Sequence, residues 1–341
     1  MTDTAASAIP PHLHIIQLSL GYLYPAALNA VVELGVADRL ERGPRSAASL
    51  AEELGVAAQP LYRVLRLLAT VSVFSEDESG LFHLTPSADI LRANAKGSMR
   101  DAVLMLVHET FWAPAGQLST TIRTGKTPFT EIFGAPFFEF FEKNPEVTGI
   151  FHRGMAGFSD TENGPIAASF DFGRFRNIVD VGGGHGGFLV EVLRKNPEAR
   201  GVLFDAEHVL REARIAAAGL ADRCELVSGD FFTSAPGGDC LILKRILHDW
   251  TDETSINILR ICRGALAEGG RVLIIDAVIP RGNTPHPGKE LDVLMMASLP
   301  GRERTEEEFR RILAAAGLTL ERVVPTPSAL SIVEASAAPS R

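Results

Sequence analysis

The stretch NIVDVGGGHGGFLVEVL, residues 177–193, sets five glycines into the six positions 182–187, directly behind an apolar run, with Asp180 just before them. The order is an apolar run, a turn stripped of side chains, then a renewed apolar pattern. That is the signature of a strand–turn–helix unit whose backbone admits a ligand at close range. Downstream the alternation repeats. RGVLFDA (200–206) reads as a strand and HVLREARIAAAGL (208–220) as a helix. CELVSGDFF (224–232) and DCLILKRI (239–246) read as strands, and ETSINILRICRGAL (253–266) as a helix. RVLIIDAVI (271–279) reads as a strand and TEEEFRRILAAAGL (305–318) as a helix, with LERVVPT (320–326) and LSIVEAS (330–336) at the end. Strands alternating with helices predict a doubly wound, mostly parallel, Rossmann-like α/β sheet. The last two runs lack a helix between them and predict an antiparallel hairpin at its edge.

The first part of the chain reads differently. GYLYPAALNAVVELGVADRL (21–40) is helical and breaks at Gly35, and SAASLAEELG (46–55) opens on a capping Ser46 or Ser49 and closes at Gly55. QPLYRVLRLLATVSVF (59–74) is a second helix, and FSEDESGLFHLT (74–85) a hairpin. Two short helices and a hairpin make a mainly helical winged-helix module. Its second helix carries only Arg63 and Arg66 as candidate phosphate contacts, so packing and dimerisation are expected rather than DNA binding. The expected division is residues 1–95 for dimerisation, 96–165 for a helical linker lining an acceptor pocket, and 166–341 for the ligand-binding sheet. The linker is rich in aromatics, among them Trp112, a candidate contact for a flat ligand.

Composition narrows the class. The chain has 341 residues and a net charge of −9, which opposes a general affinity for nucleic acid or acidic membranes. Three scattered cysteines make no metal pattern and no disulfide framework. No apolar run is read as long enough to span a membrane, and the N-terminus lacks a signal-peptide core. A soluble cytoplasmic protein without a metal is expected.

The ligand is read from the residues around the glycines. Gly182-x-Gly184-x-x-Gly187 formally fits the dinucleotide fingerprint, and Asp205 lies at the distance of a ribose ligand. A carboxylate at Asp180 would repel a pyrophosphate but suits an ammonium. Asp230 is placed for an adenine amino group, with Phe231 beside it to pack on the ring, and no hydride-transfer site is visible. A nucleoside with an amino-acid tail and no phosphate is S-adenosylmethionine, whose transfer product is S-adenosylhomocysteine.

These residues resemble the class I S-adenosylmethionine-dependent O-methyltransferases of the plant caffeic-acid type and their bacterial natural-product branch. The resemblance rests on VDVGGGHGGFL (179–189), LFDAEHVL (203–210), GDFF (229–232), LKRILHDWTDE (243–253) and GRERTEEEF (301–309), in order, and covers nearly the whole chain. It implies that Gly182, Asp205, Asp230, Phe231 and Lys244 hold the cofactor. It implies His248 as general base, Asp276 and Glu303 as its orienting carboxylates, and Met155 and Met295 as a clamp on the acceptor ring. It also implies a homodimer built through the N-terminal helices. The plant enzymes carry glutamate where this chain has Asp276, which leaves open whether Asp276 or Asp249 orients His248. Leu299 replaces a polar pocket residue of the plant enzymes, so the acceptor need not be a phenylpropanoid. The expected reaction is methylation of a phenolic hydroxyl on a polycyclic natural product of phenazine, anthracycline or aromatic polyketide type. N-methylation, a relative that has lost transfer, and a DNA-binding regulator are the alternatives.

Overall fold

The computed structural model describes residues 9–338. Its contacts divide the chain into two units, Met1–Glu109 with Gly149–Gly157, and Thr110–Thr148 with Phe158–Arg341.

In the first unit, Ser46 caps the helix Ala47–Leu54 by accepting from the Ser49 N–H, and Gly55 ends it with φ +68°. The helix Ala58–Ala69 follows. Strands β1 (Arg45–Ser46), β2 (Phe74–Glu76) and β3 (Leu81–Leu84) form a small antiparallel sheet in the order β1-β3-β2. Leu50, Leu65, Phe74 and Phe82 close its core. Arg63 and Arg66 lie on the exposed face of their helix. The helix Pro11–Leu20 buries none of its residues, and Ile15, Ile16 and Leu18 stand 61%, 51% and 65% exposed. Together with the helix Leu23–Glu33 it forms a stretch, Pro11–Glu33, long and apolar enough to cross a membrane by length and composition alone. This corrects the reading that no such stretch exists. The intervening polar residues had masked it.

In the second unit seven strands form one sheet: β4 (Asn177–Val181), β5 (Arg200–Asp205), β6 (Cys224–Ser228), β7 (Gly238–Lys244), β8 (Leu266–Asp276), β9 (Leu318–Pro325) and β10 (Ser331–Ala337). Their order is β6-β5-β4-β7-β8-β10-β9. The first five pair in parallel, and β10 is antiparallel to both β8 and β9. Strand residues alternate between two cores because successive side chains point to opposite faces. Ile178, Ile242 and Ile275 enter one core, and Val179, Leu243 and Ile274 the other. Cys224, Cys240 and Cys262 are buried and free, and burial pushes the Cys262 thiol up to about 12.

The chain leaves β4 outward to β5 and β6 and returns to β7 on the other side of β4. A ligand crevice is expected at the carboxyl ends of β4 and β7, where the order reverses. One local expectation fails. The run 208–220 is not one helix: Glu207–Leu210 makes a single turn, and the Arg214 N–H donates instead to the His185 carbonyl at 2.9 Å. That bond takes the donor which a continuing helix would have given to residue 210.

Candidate active site

The glycine turn leaves β4 at the reversal point. Gly182, Gly184 and Gly186 all have φ between +58° and +80°, a region closed to most side chains. At Gly184 a Cβ would meet nothing within 4 Å, so the backbone there borders open space. At Gly183 a Cβ would stand 2.6 Å from Asp180 Cγ, so the turn closes directly over that carboxylate. Asp180 is 1% exposed and no side chain donates to it; the Leu189 N–H is the one backbone donor near its carboxylate. Burial pushes its pKa up to about 7; Lys244 pulls it down and Asp205 adds to the rise.

Asp205 ends β5 and belongs to the turn as much as to any ligand. Its Oδ2 accepts from the Gly184 N–H at 2.8 Å and its Oδ1 from the Ala206 N–H at 2.7 Å. Each oxygen keeps a lone pair for a hydroxyl donor. Asp230 lies two residues beyond β6, where its Oδ1 accepts from the Phe232 N–H at 2.8 Å and fixes the following bend. The Phe231 ring lies on the turn, 3.4 Å from where a Gly182 Cβ would stand.

Lys244, the last residue of β7, is held by a residue the sequence did not single out. Glu162, on the helix Pro145–Ala168, accepts from Lys244 Nζ at 2.8 Å and from Arg245 Nε and Nη2 at 3.0 Å each. Burial would raise the Glu162 pKa, but the two cations hold it at about 2. Arg245 adopts φ +56°, costly for a side chain of its kind, and its N–H is tied to the Ile275 carbonyl at 3.0 Å.

His248 follows on the short turn Leu247–Asp249 and is 6% exposed. Its Nδ1–H donates to Glu303 Oε1 at 2.8 Å, and its Nε2 stands 3.4 Å from Asp249 Oδ1. Asp276, at the end of β8, is buried and neither of its oxygens accepts a hydrogen bond. The orienting bond is therefore made by Glu303, with Asp249 at the opposite nitrogen. Burial favours neutral imidazole, yet Asp249, Glu303 and Asp276 together outweigh it and raise the His248 pKa to about 9.

The segment 301–304 presses onto that turn. A Cβ at Gly301 would stand 1.9 Å from the His248 carbonyl oxygen. The Glu303 N–H donates to Asp292 Oδ1 at 2.9 Å. Arg304, with no solvent exposure, donates to the Leu247 and Trp250 carbonyls at 2.8 and 2.9 Å, to Ser255 Oγ at 3.1 Å and to Asp252 Oδ1 at 3.0 Å. A charged residue this deep inside a domain is stable only when so paired. The Trp250 ring stacks on Phe138 at 5.5 Å.

The remaining candidates are spread out. Met295 is buried on the helix Pro287–Ser298 of the second unit, and Trp112 of the same unit is 40% exposed. Met155 lies half-buried in the part of its helix that belongs to the first unit. Among the described residues no group of His, Cys, Asp and Glu is placed to hold a metal ion.

A sheet that reverses at a glycine turn, with acids at the carboxyl ends of β4 and β5 and a buried imidazole beyond β7, has the layout of a nucleoside-dependent group-transfer enzyme. The chain belongs to the O-methyltransferase family: residues 116–319 match the O-methyltransferase domain and 16–94 the O-methyltransferase dimerisation domain. It is 42% identical over 336 residues to a phenazine O-methyltransferase of Lysobacter antibioticus, with 98% of each chain covered. It is also similar to the methyltransferase CalO1 of calicheamicin biosynthesis in its SAH-bound form, with a TM-score of 0.90, 41% identity, and 96% and 98% of the two chains covered. The neocarzinostatin O-methyltransferase NcsB1, in complex with S-adenosylmethionine and 2-hydroxy-5-methyl naphthoic acid, matches with a TM-score of 0.76 and 32% identity, over 92% of this chain and 95% of that one. The chain is thus a methyltransferase of the S-adenosylmethionine-dependent kind, of natural-product type. Its residues fit that cofactor, since the buried Asp180 carboxylate, free of side-chain donors, and the open backbone at Gly184 suit an ammonium-bearing tail without phosphate.

Proposed function

We propose that this enzyme methylates a phenolic hydroxyl of a fused-ring aromatic natural product, with His248 as the general base. The observation that carries the reading is the His248–Glu303 hydrogen bond. It supports the reading because the buried imidazole it orients follows the carboxyl end of β7, the strand beside β4 and its glycine turn.

S-adenosylmethionine supplies an activated methyl group on its sulfonium. The residues of the chain need then only position the acceptor and take its proton. Asp180 and Asp205 face the tail and the ribose, and Asp230 and Phe231 the adenine. A phenol titrates near 10, like tyrosine. An imidazole raised to about 9 is nearly matched to it, so the proton passes to Nε2 with little penalty. Glu303 fixes the tautomer through Nδ1 and balances the imidazolium that forms. Met295 and Trp112 are assigned to the acceptor's faces, since thioethers and rings pack well on flat aromatics. A fused-ring acceptor is supported by the phenazine named for one relative and the naphthoic acid held by another.

The exposed apolar helix Pro11–Leu20, within a chain carrying a dimerisation domain, supports a homodimer. The function is tested by incubation with S-adenosylmethionine and a panel of fused-ring phenols and the matching aromatic amines. Product spectra are expected to place the new methyl on oxygen. Transfer to the amines alone would overturn the reading in favour of N-methylation.

A further inference from the structure

The helix Pro145–Ala168 bears on the glycine turn at Gly187. Two acidic side chains hold it there through three ion pairs. Asp160 accepts from Arg214 Nη1 at 2.8 and 3.2 Å, while the Arg214 N–H is bonded to His185 within the turn. Glu162 binds Lys244 and Arg245. Directly after them stands Asn163, 3% exposed, whose Oδ1 has no hydrogen-bond partner. A Cβ on Gly187 would lie 3.1 Å from Asn163 Nδ2, so the amide sits directly on the turn.

Two buried acceptors thus lie against the turn, the Asn163 amide oxygen, which has no donor, and the Asp180 carboxylate, which has no side-chain donor and only the Leu189 N–H near it. A buried acceptor left unpaired is costly, and folded proteins leave few of them. The turn's own amides do not serve them: the Gly182, Gly184 and Gly186 N–H groups are committed to the Phe204 carbonyl, Asp205 and the Gly183 carbonyl. A ligand bound at the turn can supply such a donor. A group that satisfies a neutral amide oxygen and a carboxylate together is cationic and carries several N–H bonds, which describes an α-ammonium.

We propose that Asn163 is a cofactor-binding residue whose amide oxygen receives the α-ammonium of the cofactor's amino-acid tail alongside Asp180. The inference rests on the cofactor reading above and is independent of the acceptor.

The test compares two nucleosides by calorimetry, S-adenosylhomocysteine and 5′-methylthioadenosine, the second lacking the amino-acid tail. Asn163→Leu should weaken S-adenosylhomocysteine about tenfold and leave 5′-methylthioadenosine unchanged. Its melting temperature without ligand should equal or exceed that of the unaltered protein, because an unpaired buried group has been removed. Asn163→Ala should show the same split between the two ligands. Unchanged affinity for S-adenosylhomocysteine would overturn the inference. So would equal losses for both nucleosides, or a fall in the ligand-free melting temperature, either of which would make Asn163 a support of the turn. An unaltered protein that binds neither nucleoside would overturn the cofactor reading, and the inference with it.

Discussion

Glu303 accepts a 2.8 Å hydrogen bond from His248 across 55 residues of sequence, and the two side chains are almost wholly withdrawn from solvent. The bond does more than orient the ring. With Asp249 and Asp276 nearby it makes the imidazolium the stable form at neutral pH.

That charge state sets the pH dependence. A base works only when neutral, and a group raised to about 9 is neutral in roughly one molecule in a hundred at pH 7. The rate of methyl transfer should therefore climb with pH, about tenfold per unit, and level off near 9. Glu303→Gln removes one of the charges that raise the pKa, so the plateau should begin at lower pH while its height falls about tenfold or more. A pH–kcat profile of both proteins measures this. Coincident profiles would show that Glu303 does not act through His248.

The contact of Gly301 with the His248 backbone is the next place to press. Gly301→Ala drives a Cβ into a carbonyl oxygen 1.9 Å away, and backbone cannot yield as a side-chain tip can. Displacing that segment moves Glu303 and Arg304 together. Urea denaturation should show a loss of about 2 kcal/mol or more, with activity falling further than stability alone accounts for. A variant of unaltered stability would mean the segment can move away at no cost.

Asp205 has a double load. Asp205→Ala removes a ribose ligand and the acceptor that holds the Gly184 amide. Calorimetry should show S-adenosylhomocysteine weakened by about 2 kcal/mol or more. Undiminished affinity would remove Asp205 from the site.

Assembly follows from the helix that buries nothing in one chain. Light scattering at micromolar concentration should give twice the chain mass. Ile16→Glu with Leu18→Glu, at positions 51% and 65% exposed, should shift the protein toward the single-chain mass. A monomeric unaltered protein would contradict the proposal.

Much of the sheet was legible because its determinants are local. The alternation from Asn177 to Lys244 and the glycines behind Asp180 carry their meaning within a few residues. So did the cap at Ser46. The failure at 208–220 has the opposite cause, a bond from Arg214 to His185 that no local pattern reports. The supports of the site were hidden for the same reason. Glu162 lies 82 residues from Lys244, and Arg304 57 residues from the Leu247 carbonyl. Either looks like an ordinary surface charge until the fold buries it. The shortness of Asp276 was visible, but not that Glu303 makes the hydrogen bond to His248 while the Asp276 oxygens accept none.

The central claim is that His248 takes the acceptor's proton, and kinetics of His248→Ala test it most directly. The cofactor's contacts lie elsewhere, so calorimetry should return undiminished affinity for S-adenosylhomocysteine. At pH 9, where His248 is substantially neutral, kcat should fall about 100-fold or more, the scale of losing a general base. The deficit should stay level below pH 9, narrow above it as the phenol ionises unaided, and be smaller for acidic phenols. Full activity of the variant at neutral pH on its natural acceptor would contradict the account, because the acceptor would then be losing its proton without help from His248.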